Sequence, residues 1–204
     1  YLDNIVNICP DKIAYANETD ELSFKTVYDN SRAIGTFLHN EGRYKEPVVV
    51  FMRKHPDTIV TFLGVVYGGC YYVPIDNEMP RHRIELIFQN LNPKAVICDD
   101  STIDSIKDFD YKGAVYHYNE IVKTTVNQAA LDEIRDKALD TDPIYIVFTS
   151  GSTGKPKGVV ACHRSVIDYI ETLSEVLEIS EDTVFGNQTP LYVDACLKEI
   201  YPTL

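Results

Sequence analysis

The stretch FTSGSTGKPKG, from Phe148 to Gly158, gathers three glycines, four hydroxyl side chains and two lysines around one proline. That mixture suits the binding of phosphate oxygens. Gly151, Gly154 and Gly158 permit unusual backbone angles and close approach, so successive N–H groups can converge on an anion. Thr149, Ser150, Ser152 and Thr153 add hydroxyl donors, and Lys155 and Lys157 add charge. The order departs from two familiar nucleotide loops. A P-loop reads G-x-x-x-x-G-K-[ST], but Pro156 follows Gly154-Lys155 where a Mg²⁺-binding hydroxyl would stand, and Thr149 occupies the place of the first glycine. No G-x-G occurs here, so the dinucleotide fingerprint fails as well. A flexible Ser/Gly surface linker is the competing reading. Against it stand the apolar run PIYIVF leading straight into the stretch and the stiff Pro156 between two lysines.

The surrounding sequence supplies elements that could position such a loop. PVVVFM (Pro47–Met52) is a short continuous apolar run, the pattern of a strand buried on both faces. HPDTIVTFLGVVYGG follows as a deeply packed helix, with Pro56 suited to the first turn and Gly68-Gly69 to the stop. CYYVPID reads as a strand and turn. A second helix starts near Pro80, because Ile84, Ile87, Phe88 and Leu91 share one helical face. Lys94–Cys98 and Gly113–Tyr118 are further strand candidates, and Pro143–Phe148 is a strong one. GVVAC continues after the loop as another strand, followed by a helix over about His163–Glu178. Nearer the start, IAYA and LSF suit a hairpin across the polar turn Asn17–Glu21, with a helix over about Lys25–Asn40. Lys123–Asp140 reads as a polar surface helix with linker. Strands alternating with helices predict an α/β fold with a mainly parallel sheet flanked by helices, and ligands of such sheets gather at the carboxyl ends of the strands. No internal repeat or domain boundary stands out.

Bulk properties narrow the function classes. The 204 residues carry a formal charge of −12, which disfavours nucleic acid and anionic membranes as partners. The five cysteines include no C-x-x-C pair, which argues against a disulfide framework or zinc site and fits a reducing, cytoplasmic setting. No apolar run reaches the length of a membrane span. The chain opens on Tyr1 without a methionine and reads as an excised fragment or as a sequence whose first residues are missing.

The sequence YIVFTSGSTGKPKGVV is similar to the phosphate-loop signature of the adenylate-forming (AMP-binding) enzymes, which include amino-acid adenylation domains, acyl- and aryl-CoA synthetases and beetle luciferase. YGGCYYVPIDNEMPRHRIELIFQNLNPKAVI and LSFKTVYDNSRAIGTFL resemble two upstream motifs of that family, so the likeness runs from about Leu22 to the end. The resemblance implies a reaction in which a carboxylate attacks the α-phosphate of ATP, with Mg²⁺ as cofactor, giving an acyl-adenylate and pyrophosphate. A thiol then takes the acyl group. It further implies that Thr149, Ser150, Gly151, Ser152, Thr153, Gly154 and Lys155 wrap the β- and γ-phosphates, with Lys157 organising the loop. Family members are much longer. The resemblance therefore makes residues 1–204 the N-terminal portion of the large domain, without the rest of that domain or the C-terminal domain. On this reading no catalytic residue or metal ligand falls within the chain, and the chain alone is expected to be inactive or nearly so.

TPLYVDACLKE (Thr189–Glu199) resembles the segment that opens the acid pocket of amino-acid adenylation domains. The resemblance places Asp194 against the substrate's α-ammonium group, where a buried carboxylate and an ammonium would offset each other's desolvation. Val193 and Cys196 stand where the family uses an aromatic residue and a serine. A plain helix-start acid is the alternative for Asp194. Ala195 and Lys198 match pocket-lining positions; Lys198 facing the pocket would suit an acidic or polar amino acid, and facing solvent, the favoured reading, it is an ordinary helix lysine. The implied acceptor is a phosphopantetheinyl carrier protein, and both D-alanine-activating ligases and nonribosomal peptide synthetase modules stay open. Alternatives are an acyl- or aryl-CoA synthetase, which Asp194 disfavours, and a non-catalytic nucleotide-binding homologue. His163 is read as structural, His82 and Arg83 as solvated helix residues, and Asp99-Asp100 and Glu181-Asp182 as surface-turn acids.

Overall fold

The computed structural model describes residues 1–149 and 155–204. Helix α1 (Leu2–Ile8) precedes a small antiparallel hairpin of β1 (Ile13–Ala16) and β2 (Glu21–Ser23). There follow α2 (Phe24–Asn40), β3 (Pro47–Phe51), α3 (Pro56–Tyr67), β4 (Tyr71–Ile75), α4 (Arg81–Leu91), β5 (Ala95–Cys98), β6 (Ala114–His117), α5 (Tyr118–Ile121) and α6 (Gln128–Lys137). The chain closes with β7 (Pro143–Thr149), β8 (Lys157–Cys162), α7 (His163–Val176) and α8 (Leu197–Ile200), the last entered through a 3-10 turn at Asp194–Cys196.

Local chemistry sets these boundaries. Asn17 Oδ1 accepts from the N–H groups of Thr19 and Asp20, closing the polar turn of the hairpin. Ser23 caps α2 by accepting from Thr26 N–H at 3.2 Å. His55 caps α3 through Nδ1, with Pro56 in the first turn as its fixed φ favours.

The main sheet runs β6-β5-β3-β4-β7-β8. Neighbours from β6 to β7 are parallel, and β8 turns back antiparallel to β7. The mainly parallel expectation holds, and β8 is the exception. A connection of seven residues from Thr149 to Lys157 closes a hairpin, whereas a parallel return needs a crossover of a dozen or more.

Alternation along the strands divides the core. Val48 and Val50 of β3 pack with Val60 and Leu63 of α3 and with Val166 and Ile170 of α7. Val49 and Phe51 point the other way, with Ile84 and Ile87 of α4 and with Ile146 and Phe148 of β7. Helices α3 and α4 therefore cover opposite faces, so the chain leaves β3 and β4 in opposite directions. In open α/β sheets such a divergence marks the carboxyl ends of the strands as the place where ligands gather.

Helix α3 is buried nearly all round and lies close on α2. A Cβ built on Gly64 would sit 2.6 Å from Ile34 Cβ, a distance no side chain tolerates. The polar stretch Lys123–Asp140 contains α6, which buries Ala130, Leu131 and Ile134 beneath its polar face. Helix α1 has no counterpart in the sequence reading.

Candidate functional site

The glycine-rich stretch occupies the β7–β8 hairpin at the carboxyl end of the sheet. Its legs pair as Phe148↔Gly158 and Thr149↔Lys157, with Thr149 Oγ1 donating to the Lys157 carbonyl at 3.5 Å. Thr149, Lys155 and Lys157 are exposed at the open end, while Pro156 is buried. The structure thus brings three of the sequence-predicted phosphate residues together. Ser150, Gly151, Ser152, Thr153 and Gly154 lie outside the described residues. Gly158 is needed for close packing, since a Cβ there would meet Ile146 Cγ2 at 2.9 Å and Phe148 Cζ at 3.3 Å.

Two side chains of α4 reach this hairpin. Arg83 Nη2 donates to the Phe148 carbonyl at 2.8 Å, and Asn90 Nδ2 donates to the Pro156 carbonyl at 2.9 Å. Arg83 is half-buried, not the solvated helix residue expected from sequence. Its place one residue before buried Ile84, and four before buried Ile87, draws the guanidinium under the strand end. His82, by contrast, is exposed as expected.

The second predicted cluster follows a long connection after α7. Cys196, Leu197 and Ile200 are buried, whereas Asp194, Ala195 and Lys198 are exposed. Asp194 is the acid of the first turn at Asp194–Cys196, the geometry of the helix-start reading, and its carboxylate is open to solvent rather than buried. Its charge nonetheless reaches β7. Burial, reinforced by Asp194, pushes the Tyr145 hydroxyl up to about 12. Lys198 lies on the exposed side of α8.

Ties that sequence reasoning missed hold this segment. Lys54 Nζ donates to the Asn187 carbonyl at 2.8 Å. Glu199 accepts from Asn187 Nδ2 at 2.5 Å and from Thr189 Oγ1 at 3.4 Å. Tyr15 hydroxyl donates to the Ile200 carbonyl at 2.9 Å, and the Tyr72 and Tyr201 hydroxyls lie 3.1 Å apart. The partners lie too far apart along the chain for spacing to indicate them.

The remaining candidates occupy structural positions. His163 opens α7, its N–H donating to the Asp142 carbonyl at 3.1 Å. Burial pushes its imidazole below the usual histidine range, against the opposing pull of Asp142 and Asp140. Asp99 is largely buried, not a loose surface-turn acid. Its carboxylate accepts from Ser101 and from the Arg53 N–H, bonds that outweigh burial and hold it below the usual range. Burial raises the Cys70, Cys98 and Cys196 thiols, to about 11, 12 and 12, which suppresses thiolate formation. Among the described residues no three His, Cys, Asp or Glu side chains gather as a metal site. No described helix is long and apolar enough to cross a membrane.

Comparison with known proteins gives this geometry a context. The family model for AMP-binding enzymes matches residues 2–204. A D-alanine--D-alanyl carrier protein ligase of Staphylococcus aureus (strain Newman) is 32% identical over 196 residues, covering 96% of this chain and 38% of that protein. The chain therefore spans well under half the length of the curated relatives it matches. Among solved structures, the nonribosomal peptide synthetase FmoA3 with α-methyl-L-serine-AMP bound superposes with a TM-score of 0.85 at 22% identity, over 99% of this chain and 22% of that one. VinN in complex with 3-methylaspartate superposes at 0.83 and 20% identity, over 99% of this chain and 57% of that one. These two likenesses show a shared fold.

Proposed function

The chain belongs to the AMP-binding enzyme family, and on that premise we propose that it is the N-terminal portion of the large domain of an ATP-dependent ligase that activates an amino acid. The single observation that carries the reading is the glycine-, hydroxyl- and lysine-rich hairpin at the carboxyl end of a parallel sheet, within a chain 32% identical to a carrier protein ligase. In the proposed reaction a carboxylate oxygen of the amino acid attacks the α-phosphorus of ATP. The bond from that phosphorus to the bridging oxygen breaks, pyrophosphate leaves, and an aminoacyl-adenylate remains. A carrier-protein thiolate then attacks the acyl carbon and AMP departs.

The chain's own residues serve binding and orientation, which supply much of the catalysis in phosphoryl and nucleotidyl transfer. Thr149, Lys155 and Lys157, with Ser150 to Gly154 between them, would hold the β- and γ-phosphates. The lysines oppose phosphate charge within an otherwise acidic chain. Asp194 would receive the α-ammonium group, with Ala195 and Lys198 beside it. The described residues do not fit a Mg²⁺ site of their own, so no step is assigned to a protein-held ion. On the same reading the 204-residue chain alone turns over negligibly.

The test is ATP–pyrophosphate exchange by the complete protein carrying residues 1–204, screened across amino acids and simple carboxylic acids. Amino acids should respond, and Asp194→Ala should raise the amino-acid KM at least about 30-fold, as expected for removing a charged partner, with the ATP KM within about twofold. A response confined to acids without an α-amino group would refute the role of Asp194 and favour an acyl- or aryl-CoA synthetase.

A further inference from the structure

Helix α4 touches both legs of the hairpin, one side chain to each. Arg83, Ile87 and Asn90 follow at i, i+4 and i+7 and so share one helical stripe. Ile87 at its centre is fully buried in the cluster that also holds Ile146 and Phe148. The stripe therefore faces β7, with Arg83 and Asn90 standing two turns apart, about 10 Å. One reaches the Phe148 carbonyl before the loop and the other the carbonyl of Pro156 just after it.

Within the sheet, β7 lies between β4 and the edge strand β8. The ladder between β4 and β7 is registered at Tyr72↔Tyr145, three residues short of Phe148. On its other side β7 has only β8, which is the edge strand of the sheet. Cross-strand bonds fix the two legs to each other, and the bonds from α4 add a second tie, from the helix layer, at the loop end of the pair. Convergent N–H groups act on an anion only when their direction is set beforehand, and a glycine-rich loop loses much backbone entropy on ordering.

We propose that α4 is a two-point clamp for the phosphate loop, with Arg83 and Asn90 as positioning residues that act through the loop's two carbonyl ends. This rests on the proposed role of the loop in holding ATP phosphates. Arg83 contributes a charge-assisted bond, roughly twice as strong as a neutral one. Asn90 contributes a neutral bond from an exposed site, so its substitution leaves the core intact.

The decisive variants are Asn90→Asp, which keeps the size and removes the donor, and Arg83→Met, which keeps much of the stem. Hydrogen–deuterium exchange on the complete protein should show amides of residues 148–149 and 157–158 exchanging about 3- to 10-fold faster in each variant, with strand 95–98 unchanged. In the complete protein, ATP–pyrophosphate exchange should show the ATP KM raised about 5- to 10-fold, while the amino-acid KM stays within about twofold. Asn90→Gln, which restores a donor, should recover part of the loss. Unchanged loop exchange in both variants overturns the clamp. Faster loop exchange with an unmoved ATP KM overturns the loop's phosphate role and, with it, the positioning role. An equal rise in both KM values marks general damage and also overturns the proposal.

Discussion

Replacing Gly64 with alanine tests how closely α3 must lie on α2 for the sheet to keep its cover. The new Cβ would stand 2.6 Å from Ile34 Cβ, 2.7 Å from Ile34 Cγ2 and 3.1 Å from the Ser31 carbonyl. Ordinary carbon contacts are about 3.5–4.0 Å, so the helices must separate by about 1 Å. The nearest atom is a Cβ fixed to the backbone, and no rotamer change moves it away. The same separation would stretch the buried bond from Ser31 Oγ to the Val60 carbonyl, now 3.1 Å, beyond hydrogen-bond range. Overpacking costs about 1–3 kcal/mol, and the lost bond adds about 1 kcal/mol. Alanine's better helix propensity returns about 1 kcal/mol. The net expectation is a loss of about 1–3 kcal/mol, or about 4–8 °C in Tm for a 2 kcal/mol change in a domain of this size. Thermal unfolding followed by circular dichroism reads this directly. A double-mutant cycle with Ile34→Gly, which removes both offending carbons, should abolish most of the incremental cost. A Tm unchanged or raised in Gly64→Ala would refute the close-approach reasoning.

Tyr15→Phe removes the hydroxyl that donates to the Ile200 carbonyl in a buried setting. It should lower stability by about 1–2 kcal/mol in urea titration and hasten proteolysis near α8; an unmoved midpoint would show that bond to be dispensable. His163 has its folded pKa depressed by burial. Its contribution is therefore complete above the unfolded value of about 6.5 and is lost as pH falls through that value toward the lower folded one. Urea midpoints of the wild type should fall between pH 7.5 and 5.5, and those of His163→Asn should fall less; parallel curves would remove His163 as the cause.

Much of the fold was legible because buried strands carry no ambiguity of face. Val48 to Phe51 are apolar throughout since both sides of a parallel sheet are covered. The stripe Ile84, Ile87, Phe88 and Leu91 likewise revealed α4. The direction of β8 was not read, although the short connection before it already forbade a parallel crossover. Helix α1, of seven residues, is too short for periodicity to distinguish. In the candidate site, residue type marked the loop, but not what supports it. Arg83 meets Phe148 across 65 positions and Asn90 meets Pro156 across 66, and pairings that distant follow from sheet order, not from local pattern. The same holds for Lys54 and Asn187. The solvent exposure of Asp194 reflects which residues of its turn face the core, a choice made by Cys196 and Leu197.

The glycine at position 158 also fixes how the hairpin tolerates changes in length. Successive strand residues face opposite ways, so slipping β8 by one position would bring Lys157 or Val159 to the spot where even a methyl carbon meets Ile146 Cγ2 at 2.9 Å. Sliding is blocked in both directions. An inserted or deleted residue between Thr149 and Lys157 cannot be absorbed along the strands and must change the size of the loop itself. One side-chain-free position thus sets the register of the two legs and, with it, the number of residues that must join them.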